Sequence, residues 1–147
     1  RRALEIDVPE EDQSGLPPVP AGGPGTYPIH AVAGNSGHGA GRVGNFHQHV
    51  RDGWMPALKY LVEELGADVT LRDHLGYGTI HGAAGRGMND VILYLVEKGA
   101  DPLIIGRSGL TTVDMANGPA NGLTPFKETI ALLEGMGAKN NHLCIFC

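Results

Sequence analysis

Between residues 78 and 99 the apolar positions follow two helical runs separated by glycine. In Gly78–Gly85, Ile80, Ala83 and Ala84 fall on one side, and Gly87 ends the run. Asn89 and Asp90 open the second run. Its apolar positions, Val91, Ile92, Leu95 and Val96, make a stripe on one helical face. Glu97 and Lys98 fall on the solvent side. Gly99 stands where a helix closes in the left-handed conformation that only glycine adopts cheaply. The pattern predicts a short helix, a turn, a longer helix and a polar loop.

The same pattern repeats. Leu65-Gly66-Ala67-Asp68 returns as Lys98-Gly99-Ala100-Asp101, 33 residues later, and Leu75-Gly76-Tyr77 returns as Ser108-Gly109-Leu110 at the same offset. His81 corresponds to Asp114. A fixed period of this size predicts stacked supersecondary units rather than one closed domain. Upstream, Pro9–Thr26 is rich in proline, glycine and acidic residues and cannot build a packed core. The spacing predicts an extended segment over 1–26, repeats over 27–139 and a tail over 140–147.

These residues carry a resemblance. Asp73-His-Leu-Gly-Tyr-Gly-Thr-Ile-His-Gly-Ala-Ala-Gly-Arg-Gly87 is similar to the ankyrin pattern D-x-x-G-x-T-P-L-H-x-A-A-x-x-G, and Val91–Asp101 to the second helix and its G-A-D ending. Tyr27–Ala33 resembles the same segment of an earlier unit, and Thr111–Ala116 that of a later one. Gly78 and Thr79 stand where the family has Thr and Pro, which weakens the start of that helix. The resemblance implies an all-α ankyrin-repeat solenoid of about three repeats, with insertions between the helices of the first and third. It also implies that His30 and His81 are structural, bonding to neighbouring loops. More narrowly, Gly53–Ala57, Asp114–Pro119 and the ending Gly137–Cys147 resemble the carboxy-terminal part of bacterial secreted multi-ankyrin proteins.

Residues 39–44, Gly-Ala-Gly-Arg-Val-Gly, fit the dinucleotide fingerprint G-x-G-x-x-G. That fingerprint needs a strand before it and an amphipathic helix after it. Here Pro28–Gly34 resembles an ankyrin first helix, and Asn45–Gly53 has no helical stripe, so no nucleotide is expected. The glycines belong to an insertion. His30 and His81 stand 51 residues apart instead of 33. One extra residue falls in Glu63-Glu64-Leu65 and the rest in 35–54. His38, His47 and His49 lie in that loop, as loop-packing or partner-contacting histidines or, less simply, as metal ligands. Pro56 is expected at the first position of the following helix, and Trp54 as an anchor that packs on the array or meets a partner. A second insertion covers Asn117–Leu123. Thr124 is expected to cap the next helix, with Pro125 at its first position.

The two cysteines, Cys144 and Cys147, end the chain as Cys-Ile-Phe-Cys. The leading expectation is a disulfide. Metal ligation with His142, a redox pair, c-type haem attachment and free thiols stay open. The redox pair lacks its βαβ setting, and haem lacks the following His.

The net charge of −5 argues against nucleic acid, whose affinity rests on basic contacts to phosphate. No apolar run is long enough to span a bilayer. No acid and base stand at a spacing suited to catalysis. The ankyrin resemblance implies a non-enzymatic protein-interaction module without cofactor, a scaffold or accessory subunit of a larger assembly. The alternative is a redox or metal protein using the Cys pair. By resemblance, Asp73, His74, Tyr77, Arg107 and Leu110 are the exposed binding positions at hairpin tips, and Trp54 is counted with them as a candidate protein contact. Neither end shows a polar capping repeat, so further repeats or another subunit are expected to cover the apolar ends. The start at Arg1 reads as a processed or partial chain. With the Cys pair, it points to an extracytoplasmic location.

Overall fold

The computed structural model describes residues 11–19, 25–33, 54–118 and 125–142. Six helices lie in this part: α1 (Pro28–Ala33), α2 (Trp54–Lys59), α3 (Thr79–Ala84), α4 (Asn89–Glu97), α5 (Thr112–Ala116) and α6 (Lys127–Gly135). They pair as α1 with α2, α3 with α4 and α5 with α6, and the short helices α1, α3 and α5 stack in sequence. Among the described residues no extended strand forms. Single antiparallel bridges, Arg72 to Gly78 and Ile105 to Thr111, close two hairpins. The bridges are offset by 33 residues, so the period of the sequence is the period of the fold.

The core runs between the two rows of helices. Ile29, Ile80 and Val113 from the short helices meet Leu58, Ile92, Leu95 and Leu133 from the long ones, all essentially inaccessible to water. Each such side chain contributes about 1.5–3 kcal/mol on leaving water. Ala83, Ala84 and Ala116 are also fully buried, and their size lets the short helices pack closely. The predicted stripe on α4 holds at Val91, Ile92 and Leu95. Tyr94 is buried as well, and Val96 is only half-buried. Gly66, Gly99 and Gly137 close the three units with φ of +67°, +104° and +93°, a region that penalises any Cβ.

Three boundaries differ from the sequence reading, each for a physical reason. The extra residue near Glu63 does not lengthen a loop. It is taken up inside the helix as a π turn, Tyr60–Glu64, in which Leu65 N–H donates to Tyr60 O at 3.2 Å. The following Gly66-Ala67-Asp68 therefore keeps its place. Next, α2 starts at Trp54, so Pro56 is its third residue, still in the turn where a missing N–H costs nothing. Finally, α6 starts at Lys127, not at Pro125. Phe126 N–H is taken by Ala116 O at 3.0 Å, and Phe126 O then accepts from Ile130 N–H at 2.9 Å. Thr124 lies outside the described residues, as do His38, His47, His49, the rest of the first insertion, Cys144 and Cys147.

Candidate protein-interaction surface at the hairpin tips

Each hairpin is held by bonds that begin with a carboxylate. Asp68 Oδ1 accepts from Thr70 N–H at 2.8 Å and from Thr70 Oγ1 at 2.6 Å, and these bonds hold its carboxyl below the usual range. Asp101 Oδ1 accepts from Leu103 N–H at 2.8 Å in the next unit. At the first tip, Asp73 Oδ1 accepts from Leu75 N–H at 2.9 Å and Tyr77 N–H at 2.8 Å. Asp73 is thus buried, 5% exposed, which corrects its expected place on the surface. Its carboxylate caps the turn from inside. In the second hairpin the equivalent residue is Gly106. A Cβ there would stand 2.3 Å from the Tyr77 ring, so the tyrosine of one tip occupies the space an aspartate takes in the other.

The two tips are fastened together. Tyr77 and Ser108 hydroxyls bond at 3.1 Å. Arg107 N–H donates to Leu75 O at 3.0 Å, and Arg107 Nε to His74 O at 3.2 Å. Arg72 Nε donates to Gly76 O at 2.6 Å, and its Nη2 to Ile105 O of the second hairpin. His74 bonds in the other direction, its N–H and Nδ1 both to Gly25 O, at 2.9 and 2.7 Å. His74, Tyr77, Arg107 and Leu110 are half-buried rather than fully exposed, because each is engaged in this ladder or, for Leu110, packed on the core. Apolar side chains face outward instead: Leu75, Leu103 and Ile105 are 44%, 52% and 36% exposed.

Behind the tips, His30 and His81 do what the resemblance implies. His81 Nδ1 accepts from Gly78 N–H at 3.2 Å, so the ring proton sits on Nε2, which donates to Leu110 O at 3.3 Å. His30 repeats this with Tyr27 N–H and Leu71 O. Both rings are wholly buried, and burial lowers both pKa values, that of His81 to about 3. They are neutral at ordinary pH and placed for structure. Trp54 packs back on the array, with the Arg86 guanidinium 4.6 Å above its ring. His142 is exposed, with φ +55°, and its N–H donates to Asn140 Oδ1.

Sequence reasoning missed the segment that lies across the tips. Arg107 donates through Nη1 to Asp12 Oδ2 and through Nη2 to Pro17 O at 2.7 Å, while Gln13 N–H donates to Arg107 O at 3.3 Å. Leu16 sits against Gly76. The acidic and proline-rich composition of this stretch signals an extended chain but names no place for it to lie. Among the described residues no group of three or more His, Cys, Asp or Glu is placed to hold a metal ion, and no helix is long and apolar enough to cross a membrane.

No protein-family model matches the chain. Notch-regulated ankyrin repeat-containing protein A of Danio rerio is 42% identical over 52 residues, 35% of this chain and 46% of that protein. The Homo sapiens Notch-regulated ankyrin repeat-containing protein is 42% identical over 52 residues, 35% of this chain and 45% of its own length. The chain thus spans just under half the length of these curated relatives. Among solved structures, the human ASB11 ankyrin repeat domain superposes with a TM-score of 0.55 at 21% identity, covering 78% of this chain and 41% of that one. This likeness bears on the fold alone. Taken with the 33-residue period, the paired helices and the buried histidines, it gives the chain the fold of an all-α ankyrin-repeat solenoid.

Proposed function

We propose that the chain is a non-enzymatic protein-interaction module, serving as a scaffold or accessory subunit of a larger assembly. Ankyrin repeats are generally protein-interaction modules. The observation that carries the reading here is the state of the tips. Their polar groups are engaged between the two hairpins or with residues 12–25, and Leu75, Leu103 and Ile105 project from that support. A preordered apolar surface loses little conformational freedom on binding. Native mass spectrometry of the chain isolated from its source tests this. A second polypeptide that is retained by the native chain and lost from the Leu103→Asp, Ile105→Asp variant is the expected result. A chain that travels alone would overturn it.

The Cys144–Cys147 disulfide and an extracytoplasmic location belong to the same reading. Both rest on the sequence. The unreduced chain should weigh two hydrogens less than the reduced one; equal masses would remove the disulfide, and with it one of the arguments for that location.

A further inference from the structure

Arg107 is the most heavily committed side chain on the tips. Its backbone N–H and Nε tie it to the first hairpin, at Leu75 O and His74 O. That fixes the guanidinium, and the remaining two nitrogens point at residues 12–17. One takes a carboxylate, Asp12, and the other a main-chain carbonyl, Pro17. Arg107 O takes the amide of Gln13, and Leu16 lies over Gly76. The groups recognised are therefore a carboxylate, the next amide, an apolar side chain and a carbonyl five residues after the carboxylate. The segment turns between the carboxylate and the apolar side chain, with Ser14 N–H bonded to Asp12 Oδ1 and Gly15 at φ +67°, so a peptide presents these groups when it has both that order and that turn.

None of this segment belongs to the core. Asp12, Gln13 and Pro17 are exposed, Ser14 and Leu16 half-buried. Asp12 is ordered mainly by its own neighbour, Ser14, whose N–H and Oγ both bond Oδ1. An exposed ion pair of this kind contributes little by itself. The contact persists because the two partners are on one chain, which raises the effective concentration. Pro17 and Pro18 stiffen the segment in extended form, so little order is lost when it docks.

We propose that the tips around Arg107 recognise a peptide that turns directly after a carboxylate and reaches a proline about five residues later, and that residues 12–17 hold this site in cis until such a partner displaces them. This rests on the interaction reading above and names the partner's chemistry and its control. The test uses a fluorescein-labelled peptide of residues 9–20 titrated into the full chain by anisotropy. The Asp12→Asn chain, whose own segment is weakened, should bind the peptide about fivefold more tightly than the native chain. Replacing Asp by Asn in the peptide instead should weaken binding to that same variant chain by about fivefold, a change that leaves the protein untouched. Adding Arg107→Ala to the Asp12→Asn chain should abolish binding. Equal affinity of native and Asp12→Asn chains, or indifference to the peptide's Asp, overturns the proposal. If the peptide fails while the chain still retains a polypeptide from its source, this inference falls and the interaction reading stands. If both fail, both fall.

Discussion

The second and third units begin their short helices at matching positions with different residues. The second reads Gly78-Thr79-Ile80-His81 and the third Thr111-Thr112-Val113-Asp114. His81 gives a proton to the following unit, from Nε2 to Leu110 O. Asp114 instead takes protons from the segment beyond its own unit, accepting from Asn141 N–H at 3.0 Å and Asn141 Nδ2 at 2.7 Å. Each also turns back on its own helix start. His81 accepts from Gly78 N–H, and Asp114 from Thr111 N–H at 3.0 Å, while Thr111 Oγ1 accepts from Asp114 N–H at 3.1 Å to complete a capping box. One job, joining a helix start to the next loop, is thus done with either polarity. The loop must supply the matching partner, and residues are not exchangeable between units.

That comparison breaks most severely under His81→Asp. The substitution sets a buried carboxylate against Leu110 O and removes the donor, so equilibrium unfolding in urea should show a loss of about 4 kcal/mol. Asp114→Ala leaves Thr111 N–H buried without its acceptor and frees Asn141. A loss of about 3 kcal/mol is expected by the same measurement, and a value near zero would mean the carboxylate does not join the units.

Acid should tell the two starts apart. The unfolded chain protonates His81 near pH 6.5, whereas the folded chain resists until about pH 3. Between those values the unfolded state holds the extra proton, so stability is complete above pH 6.5 and falls as pH drops. The slope is about 1.4 kcal/mol per pH unit, or about 2 kcal/mol from pH 6.5 to 5. His30, shifted in the same direction, adds to it. A urea midpoint unchanged from pH 7 to 5 would contradict this.

The smallest test is the most discriminating. Thr79 Oγ1 is buried without a hydrogen-bond partner among the described residues, whereas Thr112 Oγ1 donates to Pro102 O at 2.7 Å. Thr→Val should therefore stabilise by about 1 kcal/mol at position 79 and destabilise by about 1 kcal/mol at position 112. The same sign in both melting curves would show that the two helix starts are equivalent after all.

The repeat architecture was legible because it rests on short-range rules. Glycine closes a helix, apolar residues recur at helical spacing, and both return after 33 residues. The histidine roles were legible through resemblance. The surface was not. Asp73 is expected to be exposed by resemblance, and only the turn shows four backbone groups converging on it: Tyr77 O on its N–H, Gly76 N–H on its carbonyl, and Leu75 and Tyr77 N–H on its side chain. Arg107 looks available to a partner, yet its bonds run to residues some 90 positions away, a distance no local pattern spans. The outer helices hold a similar case. Glu63 bonds Tyr94 Oη at 3.0 Å and Lys98 Nζ at 3.2 Å, joining neighbouring units on the back of the array.

The π turn at Tyr60–Glu64 has a further consequence, in the history of the chain rather than its energetics. A unit that gains one residue would ordinarily throw every later unit out of step with its neighbours. Here the surplus is stored within a single helical turn, and the glycine that closes the helix stands where its counterparts stand. Unit length can therefore drift at the back of the array while the spacing of the tips is kept. The outer helices can thus change length by a residue without moving the front edge of the array.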